Sequence, residues 1–214
     1  MLGRRACLCC LAAAPLAAAT TAAPTPAQAQ ALPFCRYSLR DGWSATGPSE
    51  YITREARPDD PSGIPQIVAR IRQVFSIAVP FDIYIAQDED NAFAAVANGK
   101  KILVVDVGFL EKINGTARTQ WGAIQVVAHE VGHHIAGFSQ DRHRGELNAD
   151  YWSGQALQRL GSAMDAATAA IRAFGTDFDT SSHPNKTRRA QTIERGWTDA
   201  RRNYIDYSFC ETCR

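Results

Sequence analysis

Apolar residues recur at helical spacing along residues 119–138 and predict an amphipathic helix there. Its buried face would hold Trp121, Ile124, Val127, Ala128, Val131 and Ile135. Gly132 is a poor helix former inside this stretch, which indicates that another backbone or a metal site approaches closely. Gly137 suits the end of the helix. A polar loop over residues 139–145 follows, and a second helix is expected from Glu146 to residue 160.

Three more helices are predicted outside this central pair. Residues 67–75 carry apolar positions on one helical face, and residues 162–174 and 184 to about 204 show the same period. Gly161 and Gly175 suit the ends of the helices that precede them. The C-terminal half of the chain is therefore expected to be mostly helical.

Three strands are predicted before the central helix pair. Residues 81–86 alternate in a manner typical of a strand. Residues 93–96 and 101–106 predict the two arms of a hairpin, because the Asn-Gly pair at 98–99 between them is a strong turn signal. The expected fold class is α+β, with one domain built from a small sheet and several helices. Residues 36–62 are polar and rich in turn formers, and we assign them no role.

Composition is that of a single globular domain without affinity for nucleic acid. The chain has 214 residues, of which 45% are hydrophobic and 21% charged, with a formal net charge of +1. A domain of this size buries a substantial core without help from disulfides. The short basic cluster at residues 142–144 indicates a solvated loop, since no extended basic patch accompanies it.

The first 31 residues resemble an export signal. Arg4 and Arg5 precede an apolar stretch over residues 6–19, and two Ala-x-Ala sites follow at residues 27–31. We expect a signal peptide over residues 1–29, cleavage near residues 29–31, and a mature domain over residues 32–214. The apolar stretch is too short for a transmembrane helix, so the mature chain would carry none and would be periplasmic or secreted. The Arg pair leaves both the general and the twin-arginine export routes open.

Three cysteines would remain after cleavage: Cys35, Cys210 and Cys213. A disulfide from Cys35 to either of the other two would join the two ends of the domain and stabilise it by about 4–5 kcal/mol in the loop-entropy model. Sequence alone does not choose the partner, and the remaining cysteine would be free or would pair between chains. A redox or metal role for the Cys210-x-x-Cys213 pair is less favoured, because it has no second ligand pair.

The sequence HExxH occupies residues 129–133 within the predicted central helix. His129 and His133 are four residues apart, so both imidazoles would face one ion, and imidazole suits Zn²⁺. Glu130 between them would take a proton from a zinc-activated water. Glu146, on the next helix, is well placed as the third ligand. Asp150, one turn later, would accept a hydrogen bond from the free ring nitrogen of a ligating histidine.

Several separated blocks resemble one group of metallopeptidases. Asn91-Ala92-Phe93-Ala94 is similar to the NAFA element of the group that contains the CAAX prenyl endopeptidases and heat-shock membrane proteases. A strand-like run over residues 101–106 and Gly108-Phe109-Leu110 follow, then HExxH, Glu146-x-x-Ala-Asp150, and His183-Pro184 with Arg189. The resemblance covers about residues 64–195. Ala190 departs from the larger aliphatic residue usual at that position.

This resemblance implies a zincin-like domain of the gluzincin type, with the HExxH helix beside a small sheet. It implies one Zn²⁺ per chain bound by His129, His133 and Glu146, with Glu130 as the general base. His183 and Arg189 would bind the oxyanion. Asn91, Ala92 and Phe93 would lie along the substrate cleft, and the alternative is a simple hairpin arm with a buried phenylalanine.

The function expected from these residues is zinc-dependent hydrolysis of peptide bonds in exported or cell-envelope proteins. The partner would be a peptide or protein substrate, and the lack of membrane-spanning helices argues against a prenylated one. The alternative is an exported zinc-binding adaptor or chaperone-like module with a latent or degenerate peptidase site. His134 would point away from the ion, as a supporting or surface residue, and His143 would be solvated. Substrate preference and oligomeric state stay open.

Overall fold

A computed structural model of the chain describes residues 52–87, 90–97 and 99–213. These residues form six α-helices and one four-stranded sheet, which confirms the α+β class. The expected signal peptide, its cleavage region and Cys35 lie outside the described residues. None of the helices within the described ranges combines the length and the apolar character needed to cross a lipid bilayer.

The sheet contains β1 (Ile52–Glu55), β2 (Asp82–Ala86), β3 (Ala92–Ala97) and β4 (Lys100–Asp106) in the order β1-β2-β4-β3. β2 and β4 are parallel, and both outer strands pair antiparallel to their neighbours. The predicted strand and hairpin are confirmed. β1 lies within residues 36–62, to which no role was assigned. It was not predicted because it is short and largely exposed, so its sequence shows no alternation of apolar and polar residues.

The two faces of the sheet bury different side chains. Ala94 and Leu103 point into the main core that the helices share, while Phe93 and Val104 belong to a smaller apolar cluster. Successive strand residues alternate between faces, so this division follows from the strand period. Phe93 is therefore a buried hairpin residue, as the alternative interpretation of this segment expected.

The helices begin and end close to the predicted positions, with two exceptions. Their bounds are α1 Ile64–Val74, α2 Val107–Ala117, α3 Trp121–Ala136, α4 Arg142–Arg159, α5 Met164–Phe174 and α6 Lys186–Arg201. α2 was not predicted; the Asp106 carboxylate caps it by accepting a hydrogen bond from the Phe109 N–H at 3.2 Å. α4 starts four residues before Glu146, because Asp141 accepts a hydrogen bond from the Arg144 N–H at 3.2 Å.

Glycines allow α3, α4 and α6 to approach closely. A Cβ built at Gly132 of α3 would lie 2.6 Å from the Ala149 carbonyl oxygen of α4, which confirms the close backbone approach expected there. Gly154 of α4 and Gly196 of α6 face the partner helix's backbone in the same way, against Ile193 and Tyr151. These contacts set the spacing of the three helices that carry the polar residues of the centre described below.

The disulfide pairing differs from the expected one. Cys210 and Cys213 are bonded to each other, with their Cα atoms 5.3 Å apart, within the ordinary disulfide range. A bond from Cys35 to either of them is therefore not the arrangement found. The pair closes a short loop after a 3₁₀ turn, Tyr207–Phe209, and does not join the two ends of the domain.

Candidate metal centre

Three side chains of the kinds that bind metals meet in the interior between α3 and α4. His129 and His133 project from successive turns of α3, and Glu146 projects from the first turns of α4. All three are buried, with 0%, 3% and 3% of their surface exposed. Their donor atoms lie within 4.8 Å of one another, so this group can hold a metal ion. The three ligand residues expected from sequence are brought together.

The Glu146 carboxylate lies close to both imidazole rings. Its Oε2 lies 3.2 Å from His129 Nε2, and its Oε1 lies 3.6 Å from His133 Nε2. Within the described residues, Glu146 Oε2 is buried without a hydrogen bond. Buried polar atoms are nearly always satisfied. Two imidazoles and a carboxylate that converge with an unsatisfied oxygen fit a divalent cation, since each offers a lone pair to one point.

A buried ion pair behind the cluster fixes His129. Asp150 Oδ1 lies 2.8 Å from His129 Nδ1, as the sequence predicted for this carboxylate. Arg189 on α6 donates two hydrogen bonds to Asp150, from Nε to Oδ2 at 2.7 Å and from Nη2 to Oδ1 at 2.9 Å. A bidentate arginine–carboxylate pair has a defined geometry, so it holds the His129 ring in one orientation with Nε2 toward Glu146.

The electrostatics of the metal-free cluster follow from burial and from these pairs. Burial disfavours the charged imidazolium of His129, but the Asp150 and Glu146 carboxylates outweigh it and raise its pKa to about 9. Burial is the main cause that lowers the pKa of His133 to about 3. Burial also opposes ionisation of Glu146, yet the His129 ring 3.2 Å from its Oε2 and the nearby positive charges hold its pKa below the ordinary value. Near neutral pH, a charged His129 therefore lies between two carboxylates, beside a neutral His133.

His183 faces the cluster from the segment before α6. Its Nε2 lies 3.6 Å from Glu146 Oε2 and has no hydrogen bond within the described part of the chain. Its Nδ1 lies 2.7 Å from Ser182 Oγ. Burial lowers the pKa of His183 to about 4, so the ring is neutral at pH 7. Ser182 was not among the predicted site residues, although it directly precedes His183.

Of the remaining predicted site residues, two lie on the helices of the cluster and three lie at β3. Glu130 is buried on α3 between the two histidines. Arg189 also belongs to the cluster, with Nη2 3.5 Å from Glu146 Oε2, but its hydrogen bonds to Asp150 give it a supporting position. Asn91 is buried just before β3, and its side-chain amide finds no hydrogen-bond partner among the described residues. Ala92 and Phe93 are buried in the sheet, in β3.

Two other histidines lie apart from the ligands. His134 is directed away from the cluster, as expected, and its Nε2 lies 2.9 Å from the Ile102 carbonyl oxygen of β4. It is buried, so the surface position is excluded. His143 is half-buried, with Nε2 2.7 Å from the Thr180 carbonyl oxygen, so its expected solvated position is wrong. That contact ties the start of α4 to the loop that carries His183.

A small cavity adjoins the ligands. Its volume is about 10 Å³, which is about the space of one water molecule. His133, Glu146 and His183 line it, together with Phe138, Ser139, Arg142, Gly145 and Ser182. The cavity therefore connects the cluster to the segments on either side of α4's first turn.

No protein-family model, curated protein or solved structure matches this chain. The arrangement of its own residues is therefore the basis for a functional assignment.

Proposed function

We propose that this protein is a zinc-dependent metalloendopeptidase that hydrolyses peptide bonds in exported or cell-envelope proteins. The observation that carries the proposal is the buried cluster of His129, His133 and Glu146, with donor atoms within 4.8 Å, and Glu130 buried on the same helix. A closed structural zinc site would normally use cysteines and four protein ligands. Three nitrogen and oxygen ligands with one open position are typical of a catalytic site.

Zinc suits this donor set better than a harder cation. Imidazole nitrogens with one carboxylate favour zinc, whereas calcium and magnesium prefer oxygen ligands only. When bound, zinc supplies Lewis acidity that makes water a stronger nucleophile near neutral pH. The proposed ligands are His129 through Nε2, His133 through Nε2 and Glu146 through its carboxylate.

Chain residues would handle the proton and the developing charge. Glu130 takes the proton of the attacking water and passes it to the leaving amine. In this mechanism the Ser182 Oγ–H would donate to His183 Nδ1, 2.7 Å away, which would place the single proton of the neutral ring on Nε2, facing the cluster. His183 then donates a hydrogen bond to the oxyanion of the tetrahedral intermediate. Arg189 was predicted to stabilise the oxyanion with His183; since its guanidinium pairs with Asp150 and lies 3.5 Å from Glu146, we propose that it does so at a distance, through its positive charge.

The fold around the cluster supports a zincin-like domain of the gluzincin type. α3 packs beside the sheet, and β3, one of its two edge strands, begins next to the buried Asn91. An extended peptide can add to such an edge through main-chain hydrogen bonds. We therefore keep the proposal that the substrate lies along β3, with Asn91 at its start, and that the reaction is similar to that of the group containing the CAAX prenyl endopeptidases.

Burial of the ligands favours a second candidate, a zinc-binding adaptor or chaperone-like module without turnover. The adjoining cavity of about 10 Å³ holds no peptide unless the segments around it move. The two candidates differ in one measurable property, since both bind zinc but only the peptidase cleaves peptides.

The test is cleavage of a diverse, unmodified peptide library by the zinc-loaded chain lacking residues 1–29. Glu130→Gln should keep one zinc per chain and lose turnover, because its amide accepts no proton. Glu111→Gln, at an exposed glutamate of α2, is the matched control and should cleave like the wild type. Full activity of Glu130→Gln with normal zinc content would refute the role of Glu130. Zinc binding without cleavage by any form would favour the second candidate.

A further inference from the structure

Residues 209–213, which we call the C-terminal clasp, contact both helices that carry the proposed metal ligands. The clasp contains the Cys210–Cys213 disulfide and Glu211. Neither the resemblance nor the proposed mechanism gives these residues a task. Cys210 is completely buried and Cys213 is exposed, so the loop is anchored on one side and open to solvent on the other.

The clasp binds the C-terminal end of α3. The Glu211 backbone N–H donates a hydrogen bond to the Ala136 carbonyl oxygen at 2.6 Å. The Cys210 Sγ lies 3.8 Å from the Ile135 carbonyl oxygen. A Cβ built at Gly137 would lie 2.6 Å from Thr212 Cγ2, so the clasp packs directly on the residue after the helix. The last carbonyls of a helix have no partner within it, and here the clasp supplies one, three residues after His133.

The clasp also binds the outer face of α4. The Glu211 Oε1 accepts a hydrogen bond from Asn148 Nδ2 at 3.1 Å and forms an ion pair with Arg144 Nε at 2.6 Å. Arg144 and Asn148 are four residues apart and share one face of α4. Glu146 lies midway between them in sequence and therefore on the opposite face, toward the cluster.

A neighbouring contact anchors the base of the clasp to the same helix. Trp152 Nε1 of α4 donates a hydrogen bond to the Phe209 carbonyl oxygen at 2.9 Å. The Phe209 ring stacks on Tyr151, with ring centroids 4.4 Å apart. Glu211 is thus held between fixed points on α3 and α4, at the connection where the two helices separate.

We propose that Glu211 is a positioning residue for the metal centre and that the Cys210–Cys213 disulfide holds it in place, so that metal affinity depends on the redox state of this disulfide. The inference rests on the proposed metal centre. Glu211 touches no ligand atom; it fixes the relative position of the helix ends from which His133 and Glu146 project. Metal ligands must be held within about 0.5 Å of the productive geometry, so loosening this connection weakens binding.

Reduction of the disulfide perturbs the loop without changing the amino-acid sequence. A water-soluble phosphine attacks the exposed Cys213 sulfur, and the Cys210 sulfur leaves as a thiolate and is protonated. Water then converts the phosphonium to the phosphine oxide and releases the Cys213 thiol. The disulfide is reduced by two electrons and the phosphine is oxidised by two. An exposed disulfide is open to this attack.

The experiment measures zinc affinity by competition with a chromophoric chelator, using the chain without residues 1–29. Cobalt(II) absorption of the same samples reports the ligand geometry independently of activity. The variants are Glu211→Gln and the double variant Cys210→Ser/Cys213→Ser, which cannot bind metal through sulfur. The control is Glu194→Gln, which removes a glutamate of similar exposure (31% against 25%) from an ion pair with Arg172 on α5 and α6.

We expect Glu211→Gln, the double serine variant and the reduced wild type to bind zinc about tenfold more weakly than the oxidised wild type, in the range seen when groups supporting metal ligands are removed. Their cobalt spectra should shift, whereas Glu194→Gln should match the wild type in both measurements. Equal affinity and equal spectra for Glu211→Gln and Glu194→Gln would overturn the proposal. A wild type that binds no zinc would overturn both this proposal and the metal centre. Zinc binding with the expected losses but without peptide cleavage would refute only the peptidase.

Discussion

Replacing Gly132 with alanine tests whether the spacing of α3 and α4 sets the metal centre. The new Cβ would lie 2.6 Å from the Ala149 carbonyl oxygen and 3.1 Å from its Cα. Ordinary van der Waals contact begins at 3.4 Å, so the two backbones must separate by about 0.8 Å. Neither neighbour is a flexible side chain, and the separation has to be taken up by movement of one helix.

The magnitude follows from two opposing effects. Overpacking of a close helix contact costs about 1–3 kcal/mol, and the better helix propensity of alanine returns about 1 kcal/mol. The net loss of stability should be about 0–2 kcal/mol, a shift of a few degrees in the melting temperature for a chain of this size. The metal centre should suffer more, because a 0.8 Å shift between His133 and Glu146 exceeds the tolerance of about 0.5 Å. Zinc affinity should fall by at least about tenfold.

The matched control is Gly115→Ala in α2, where a new Cβ meets no atom within 4 Å. That substitution should raise stability by up to about 1 kcal/mol and leave zinc binding unchanged. Thermal melts of the metal-free proteins and zinc competition titrations measure both quantities. If the two alanine variants melted at the same temperature and bound zinc equally, the helix spacing argued from Gly132 would be refuted.

Three further outcomes are expected. Glu146→Gln should abolish stoichiometric zinc binding, measured by metal analysis after dialysis; retained zinc would identify another third ligand. Arg189→Met should lower the free energy of unfolding by about 3–5 kcal/mol in denaturant titrations, because the buried Asp150 carboxylate loses both hydrogen bonds from the guanidinium and keeps its contact with His129; a loss below about 1 kcal/mol would contradict this. Because the pKa of His129 is raised to about 9, its ring is protonated below pH 9 and zinc must displace that proton. The pKa of His133 is lowered to about 3, so this ring is already neutral. Zinc affinity should therefore rise about tenfold per pH unit from pH 6 to 8, with about one proton released in calorimetry; a flat profile would show a neutral His129.

Helices and contacts between residues one turn apart could be predicted from the spacing of residues along the sequence. The period of apolar residues located α3 and α5, and the i, i+4 spacing of His129 and His133 predicted that both would face one point, as they do. Asp150 was predicted to meet a histidine for the same reason, because it lies one turn after Glu146 on the same helix. These relations need only helical geometry, which the sequence specifies directly.

Long-range contacts were not predictable in the same way. Glu211 reaches Asn148 across 63 positions of the chain, and no periodicity connects the two. The pairing of Cys210 with Cys213 depends on how the loop packs on α3, which spacing does not reveal. α2 was missed because glycines at 108 and 115 lower its helix propensity, whereas burial of Phe109, Leu110 and Ile113 in the core stabilises it.

The contacts of Glu211 with Ala136 and Asn148 also have a consequence for the order of events during synthesis. Glu211 follows Glu146 by about 65 residues, which take a ribosome about 3–13 s to add at ordinary elongation rates. Throughout that interval the nascent chain already carries both histidines and the carboxylate, but not the residue that bridges their helices. A growing chain therefore holds all three proposed ligand residues before it holds the residue that fixes the spacing of their helices.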